Sequence, residues 1–195
     1  MNSSCWWVLQ WATGTPRGGA AFPECVRRMC DAGQVRFGFE QRWTATPDDV
    51  LEIYLDHDFW TTLDGLTATS APEVLEVTRT GDTALIRLRY QLTVDLPREA
   101  ARFIDPNDVS WIEESTWNLP QRRAEVRFLP DQAAGLMKAS ATAELAAEGA
   151  DATRAVRGDL RVRIPLLGGK VEKVVVDGIG DHLVEEADAV AARLR

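Results

Sequence analysis

Apolar and polar residues alternate along most of this chain, and the alternation changes period near its end. Val156, Gly158, Leu160, Val162 and Ile164 share one parity, and Arg157, Asp159, Arg161 and Arg163 share the other. That period of two predicts a half-buried antiparallel strand. The sequence Pro165-Leu166-Leu167-Gly168-Gly169 breaks it. Beyond the break Val176, Ile179, Leu183, Ala187, Val190 and Leu194 recur every three or four residues, opposite Asp177, Asp181, Glu185 and Asp188. This predicts an amphipathic helix over about residues 170–194. At 1.5 Å per residue it is roughly 37 Å long and needs a wide apolar surface to lie on.

The preceding segments can supply that surface. Residues 35–43, rich in aromatics, predict a first strand. Thr46-Pro47-Asp48-Asp49 predicts a helix start: Thr46 caps, Pro47 lacks an N–H the first turn does not need, and the acids suit the positive helix end. A joint at Asp56-His57-Asp58 and a second short helix ending near Gly65 follow. Residues 73–94 predict a hairpin turned at Gly81-Asp82. In its second arm Ala84, Ile86, Leu88, Tyr90, Leu92 and Val94 share one face. Residues 97–105 read as a helical turn or two, or as a loop packing Phe103 and Ile104. Four more strands are predicted over about 110–118, 124–131, 136–146 and 153–164. Hairpin-length connections favour an antiparallel sheet.

The first 34 residues do not share this pattern. They hold all three cysteines (Cys5, Cys25, Cys30) and Trp6, Trp7 and Trp11, around a turn-rich stretch without apolar period. Nothing basic precedes Trp6-Trp7, which speaks against a secretory signal. Cys25 and Cys30 lack a second Cys/His pair to complete a zinc site. Residues 1–34 are therefore expected to be a disordered or mis-annotated extension, with translation starting near Met29 or Val35, and residues 35–195 to be one domain.

Charge narrows the partners. A formal net charge of −8 over 195 residues argues against a nucleic-acid or anionic-membrane partner, since both are held through basic patches. No apolar run approaches eighteen residues, so no integral membrane association is expected. A cytoplasmic location is expected.

One strand, a helix pair opened by Thr-Pro-Asp-Asp-Val, a curved antiparallel sheet and a final long helix resemble the START-like (SRPBCC, helix-grip) superfamily, which includes lipid-transfer domains, polyketide cyclases and pollen-allergen-type proteins. More closely, residues 37–43, Trp111-Ile112-Glu113-Glu114-Ser115-Thr116, residues 158–162 and residues 165–172 resemble an uncharacterised bacterial START-like family of unknown function. The resemblance spans residues 35–195. It implies an α+β fold: a curved antiparallel sheet of about six or seven strands wrapped on a long C-terminal helix, with two short helices after the first strand. It also implies a ligand cavity between sheet and helix.

The sequence suggests what lines that cavity. On the strand over 110–118, Trp111, Glu113, Ser115 and Trp117 share a face. If the tryptophans point inward, so does Glu113, as a ligand-orienting group or general acid; otherwise it pairs with an arginine or sits at the rim. Tyr90 offers a hydroxyl to a ligand or packs with it satisfied. Phe128 reads as core or pocket wall, Trp60 (beside Phe59) as a gate or core residue, and Ile179 and Leu183 as the helix's contribution. Gly178 and Gly180 admit a close approach by ligand or strand, or reflect local packing. No cofactor or metal is expected. His57 reads as solvated, and His182 as exposed or at the boundary rather than in the pocket. There is no Gly-x-Ser-x-Gly elbow or His-Glu-x-x-His pair. Gly168-Gly169-Lys170-Val171 lacks the Ser/Thr and first glycine of a phosphate loop.

The leading expectation is binding or carriage of an apolar or amphipathic small molecule, lipid or polyketide-like. The alternatives are a protein-interaction module with a filled cavity, or a cyclase- or dehydratase-type enzyme using Glu113 and Tyr90 as an acid–base pair.

Overall fold

The apolar parity of each segment becomes one face of a single sheet. The computed structural model describes residues 29–31, 34–93, 99, 109–131 and 135–195. In chain order these form β1 (Met29–Asp31), β2 (Gln34–Trp43), α1 (Pro47–Tyr54), α2 (His57–Thr61), β3 (Glu73–Thr80), β4 (Thr83–Gln91), β5 (Ser110–Asn118), β6 (Arg123–Pro130), β7 (Met137–Glu148), β8 (Asp151–Val162) and α3 (Gly168–Arg193). The sheet runs β1-β2-β8-β7-β6-β5-β4-β3, and every pairing is antiparallel. This is the helix-grip fold: seven long strands plus the three-residue β1, curved around α3. Met29–Asp31 belong to the segment set apart in the sequence, yet they pair with β2. Residues 1–28 of that segment, and the expected turn or loop over 97–105 with Phe103 and Ile104, lie outside the described residues.

Local chemistry explains the helix starts. Thr46 Oγ1 accepts from Asp49 N–H at 3.2 Å and Asp49 Oδ2 accepts from Thr46 N–H at 3.2 Å, a reciprocal capping box. Asp56 caps α2 by accepting from Asp58 N–H at 2.9 Å. The second helix ends at Thr61, ahead of the expected Gly65, and His57 opens it as an exposed first residue rather than a loop residue. The caps fix the direction of α1, which buries Val50, Leu51 and Tyr54.

Two glycines allow close approaches, Gly158 within the sheet and Gly180 between helix and sheet. A Cβ on Gly158 would lie 2.6 Å from the Ser140 carbonyl oxygen, and one on Gly180 would lie 2.9 Å from the Phe39 ring. The Gly180 position therefore serves strand approach: it lets β2 press its aromatic face onto α3. Trp43 Nε1–H donates to the Ala187 carbonyl at 3.0 Å, and Gln41 Nε2–H donates to the Leu183 carbonyl. Among the described residues no helix is long and apolar enough to cross a membrane.

Candidate functional site

Between the concave sheet face and α3 lies a cavity of about 110 Å³, counted as space open to the centre of a water molecule. Its wall is mostly apolar, with Phe37, Val126, Phe128, Met137 and Val156 from the sheet and Val175 and Ile179 from the helix. Six of the eight residues picked out in the sequence reach it: Tyr90, Trp111, Glu113, Phe128, Ile179 and Leu183. The other two, Trp60 and Trp117, sit in the packed core beside it, 4% and 2% exposed. Trp60 donates its indole N–H to the Tyr54 carbonyl at 2.8 Å, and Trp117 stacks on the Tyr54 ring at 6.2 Å. Neither ring is at an opening, because α1 and α2 bring Tyr54 and Phe59 over that end of the sheet.

One stretch of wall is polar, formed largely by Arg154, His182 and Glu186, which the strand and helix patterns do not single out. Arg154 on β8 and Glu186 on α3 form a buried ion pair, with side chains 8% and 3% exposed. Arg154 Nη1 also donates to Tyr54 Oη at 2.8 Å and to Gln41 Oε1 at 3.2 Å. Tyr54 in turn donates to Glu186 Oε1 at 2.9 Å. The guanidinium lies over the Tyr54 ring, 4.4 Å from its centroid. A buried pair is tolerated when further hydrogen bonds occupy its remaining lone pairs and protons, and Tyr54 and Gln41 do this here. Burial alone would raise the Glu186 proton affinity, but Arg154, His182 and Tyr54 outweigh it and hold the carboxyl down at about 2.

His182 corrects a sequence expectation. It is buried rather than exposed or at the boundary, and it lines the cavity. Its Nδ1 lies 3.1 Å from Thr69 Oγ1 and its Nε2 3.7 Å from Glu186 Oε2. The curved sheet and the segment carrying Ala68 and Thr69 cover more of α3 than one stripe, so both His182 and Leu183 are enclosed. Burial disfavours the imidazolium, but the Glu186 and Glu113 carboxylates prevail and its affinity for a proton is raised.

Glu113 reaches the cavity without either of its expected compensations. Its neighbour on the outer face, Glu114, takes the arginines, with Arg87 at 3.4 Å and Arg127 at 3.7 Å. Glu113 lies deep in the fold but is half-buried because it faces the cavity. Burial, with a smaller contribution from the Glu186 charge, pushes its carboxyl above the usual 4.5, against the opposing pull of His182 and Arg154. Beside it Tyr90, 1% exposed, stacks on Trp111 at 5.9 Å and meets the His182 ring edge-on at 5.2 Å. The Tyr90 hydroxyl and the Trp111 indole N–H are buried without a hydrogen-bond partner.

Signals for the overlooked residues were present. Arg154 shares the parity of Val156 and Leu160, Gln41 that of Phe37 and Trp43, and Glu186 stands four residues after His182 and four before Val190. Parity placed these polar side chains on core faces. Among the described residues no group of three or more His, Cys, Asp or Glu is placed to hold a metal ion.

Comparison with known proteins agrees with this architecture. The model of a family described as "Protein of unknown function (DUF2505)" matches residues 39–194. No curated protein matches. Among solved structures, TTHA0849 from Thermus thermophilus is 20% identical, with 83% of this chain and 99% of that chain covered and a TM-score of 0.59. The Zhui aromatase/cyclase from Streptomyces sp. R1128 is 15% identical, over 83% and 96% of the two chains, with a TM-score of 0.59. Norcoclaurine synthase from Thalictrum flavum is 15% identical, over 83% and 86%, with a TM-score of 0.55. At these identities the likeness is one of fold.

Proposed function

We propose, since this chain belongs to the DUF2505 family of unknown function and has the START-like helix-grip fold, that it binds and carries an apolar or amphipathic small molecule between its sheet and its C-terminal helix. The observation that carries this reading is the cavity: about 110 Å³ of unfilled space, walled by apolar side chains, with a few polar groups gathered on one side. Interiors are close-packed, and a void of this size forfeits the contacts its walls would make if closed. An apolar guest restores those contacts, and a few polar groups suffice to orient it. The same void weighs against an interaction module whose interior is filled by its own side chains.

A second reading has one observation in its favour. Glu113 is unpaired, holds its proton above the usual range and shares the cavity with Tyr90. That suits a general acid in a cyclase- or dehydratase-type reaction. Glu113→Gln is the discriminating variant: turnover left intact by it ends this second reading.

Native mass spectrometry of the freshly purified protein, set against its denatured mass, tests carriage. The expected result is a stoichiometric extra mass that disappears on denaturation. A bare native mass, together with no uptake of the neutral apolar dye N-phenyl-1-naphthylamine, would overturn the proposal.

A further inference from the structure

Glu113 apart, the polar side of the cavity is unbalanced in one direction. The acceptors of the ion-pair cluster are engaged: Glu186 Oε1 accepts from Tyr54 and Arg154, and Gln41 Oε1 accepts from Arg154. Three donors are not engaged. The Tyr90 hydroxyl, the Trp111 indole N–H and the Arg154 Nε–H are buried without partners, and all three side chains line the cavity. A buried donor left without an acceptor is costly, and native folds keep such groups few. Three of them beside one void is a pattern that a ligand can resolve.

We infer that the natural ligand is an apolar molecule carrying a neutral oxygen acceptor, a carbonyl group, which takes up the donors at the Tyr90–Trp111 side of the cavity. This inference rests on the carrier reading above and specifies its ligand. A neutral acceptor fits better than an anion because Glu113 faces the same space with no cation bonded to it. A ligand carboxylate there would confront the Glu113 carboxyl, whereas a carbonyl accepts from Tyr90 or Trp111 and also from Glu113 in its protonated form. A positively charged or donor-only ligand would leave the three free donors as they are. Discrimination follows from the same asymmetry. A site whose buried donors expect an acceptor penalises an analogue lacking one far more than an apolar pocket penalises a change of shape.

Three naphthalenes of nearly one shape separate the possibilities: 2-acetylnaphthalene (carbonyl), 2-isopropylnaphthalene (no acceptor) and 2-naphthoate (anion). Their dissociation constants for the full chain are measured by equilibrium dialysis at neutral pH. The expected result is that the acetyl compound binds at least about tenfold more tightly than either of the others. In Tyr90→Phe the acetyl-over-isopropyl preference should fall about threefold or more, while isopropyl binding stays within about twofold. That ratio is a readout that a merely structural role for Tyr90 would not move. Glu113→Gln, which keeps the side chain's shape, should preserve the acetyl preference and relieve the discrimination against naphthoate.

Two outcomes overturn the carbonyl inference while sparing the carrier reading. One is isopropyl binding equal to or tighter than acetyl; the other is naphthoate binding tightest to the wild-type protein. Failure of all three to bind overturns the carrier reading, and the inference falls with it.

Discussion

The fold contains two stacked tyrosine–tryptophan pairs built on the same concave face, and they have opposite fates. Tyr54 and Trp117 stack at 6.2 Å and Tyr90 and Trp111 at 5.9 Å, with interplanar angles of 23° and 29°. Trp117 and Trp111 even stand on one strand and point the same way. At the first pair α1 and α2 close over the sheet, and the Tyr54 hydroxyl both donates to Glu186 and accepts from Arg154. At the second pair the void begins and the Tyr90 hydroxyl has no partner. The two ends share ring chemistry and differ in what covers them. One end therefore stores stability, and the other holds groups that ligand binding can satisfy.

The largest effect is expected at Arg154, which bonds Tyr54 and also lines the cavity. Arg154→Ala takes from the buried Glu186 its arginine partner and leaves it only Tyr54 and His182; breaking a buried pair typically costs about 3–5 kcal/mol. Urea unfolding should show that loss, whereas Arg154→Met with Glu186→Leu should recover most of it. A single variant within about 1 kcal/mol of wild type would mean the pair does not brace the closed end.

The tyrosines sharpen the contrast next. Tyr54→Phe should cost about 1–3 kcal/mol, since it strips a hydrogen bond from each of two buried charges. Tyr90→Phe in the empty protein should stay within about 0.5 kcal/mol, or stabilise, because it removes a donor that has no partner. Equal losses would erase the distinction between the two ends. Thr46→Ala, which removes the cap of the helix that carries Tyr54, should cost about 1 kcal/mol and leave apolar-probe binding unchanged.

The smallest effect is one of slope with pH. Glu113 binds its proton more tightly in the folded protein than its usual 4.5. Its contribution is therefore complete below that value and is lost as pH rises through the folded value. His182, raised above 6.5, likewise contributes fully below that value and loses its contribution as pH rises. Glu186, held at about 2, works in the other direction: its contribution is present above 4.5 and lost as pH falls toward 2. Thermal midpoints should therefore decline on both sides of mildly acid solution. Glu113→Gln should flatten only the alkaline limb, and an unchanged limb would remove Glu113 from the account.

Much of the architecture was legible because period-two and helical patterns survive wherever one face is buried. The parity of Ala84, Ile86, Leu88 and Tyr90 on β4 and the Thr46 cap gave elements and faces directly. The polar interior was harder to read. Arg154 and Glu186 satisfy each other across a sequence separation of 32 residues, and nothing local to either says that its partner lies opposite. His182 was misplaced because an amphipathic stripe assumes one covering surface, whereas this sheet wraps further around the helix. Trp117 read as a cavity residue because parity fixes the face a side chain takes but not which neighbour covers it, and of the two roles open to Trp60, gate or core, the structure has it in the core.

A crystal structure of the protein as purified would show what the cavity holds. Electron density for a non-protein molecule is expected against Trp111 and Phe128, with an acceptor atom within hydrogen-bond reach of Tyr90 or Trp111 and the Tyr54 end unchanged. Phe128, Met137 and Ile179 meeting across the centre, with no space between them and the Tyr90 hydroxyl bonded to a protein group, would contradict it.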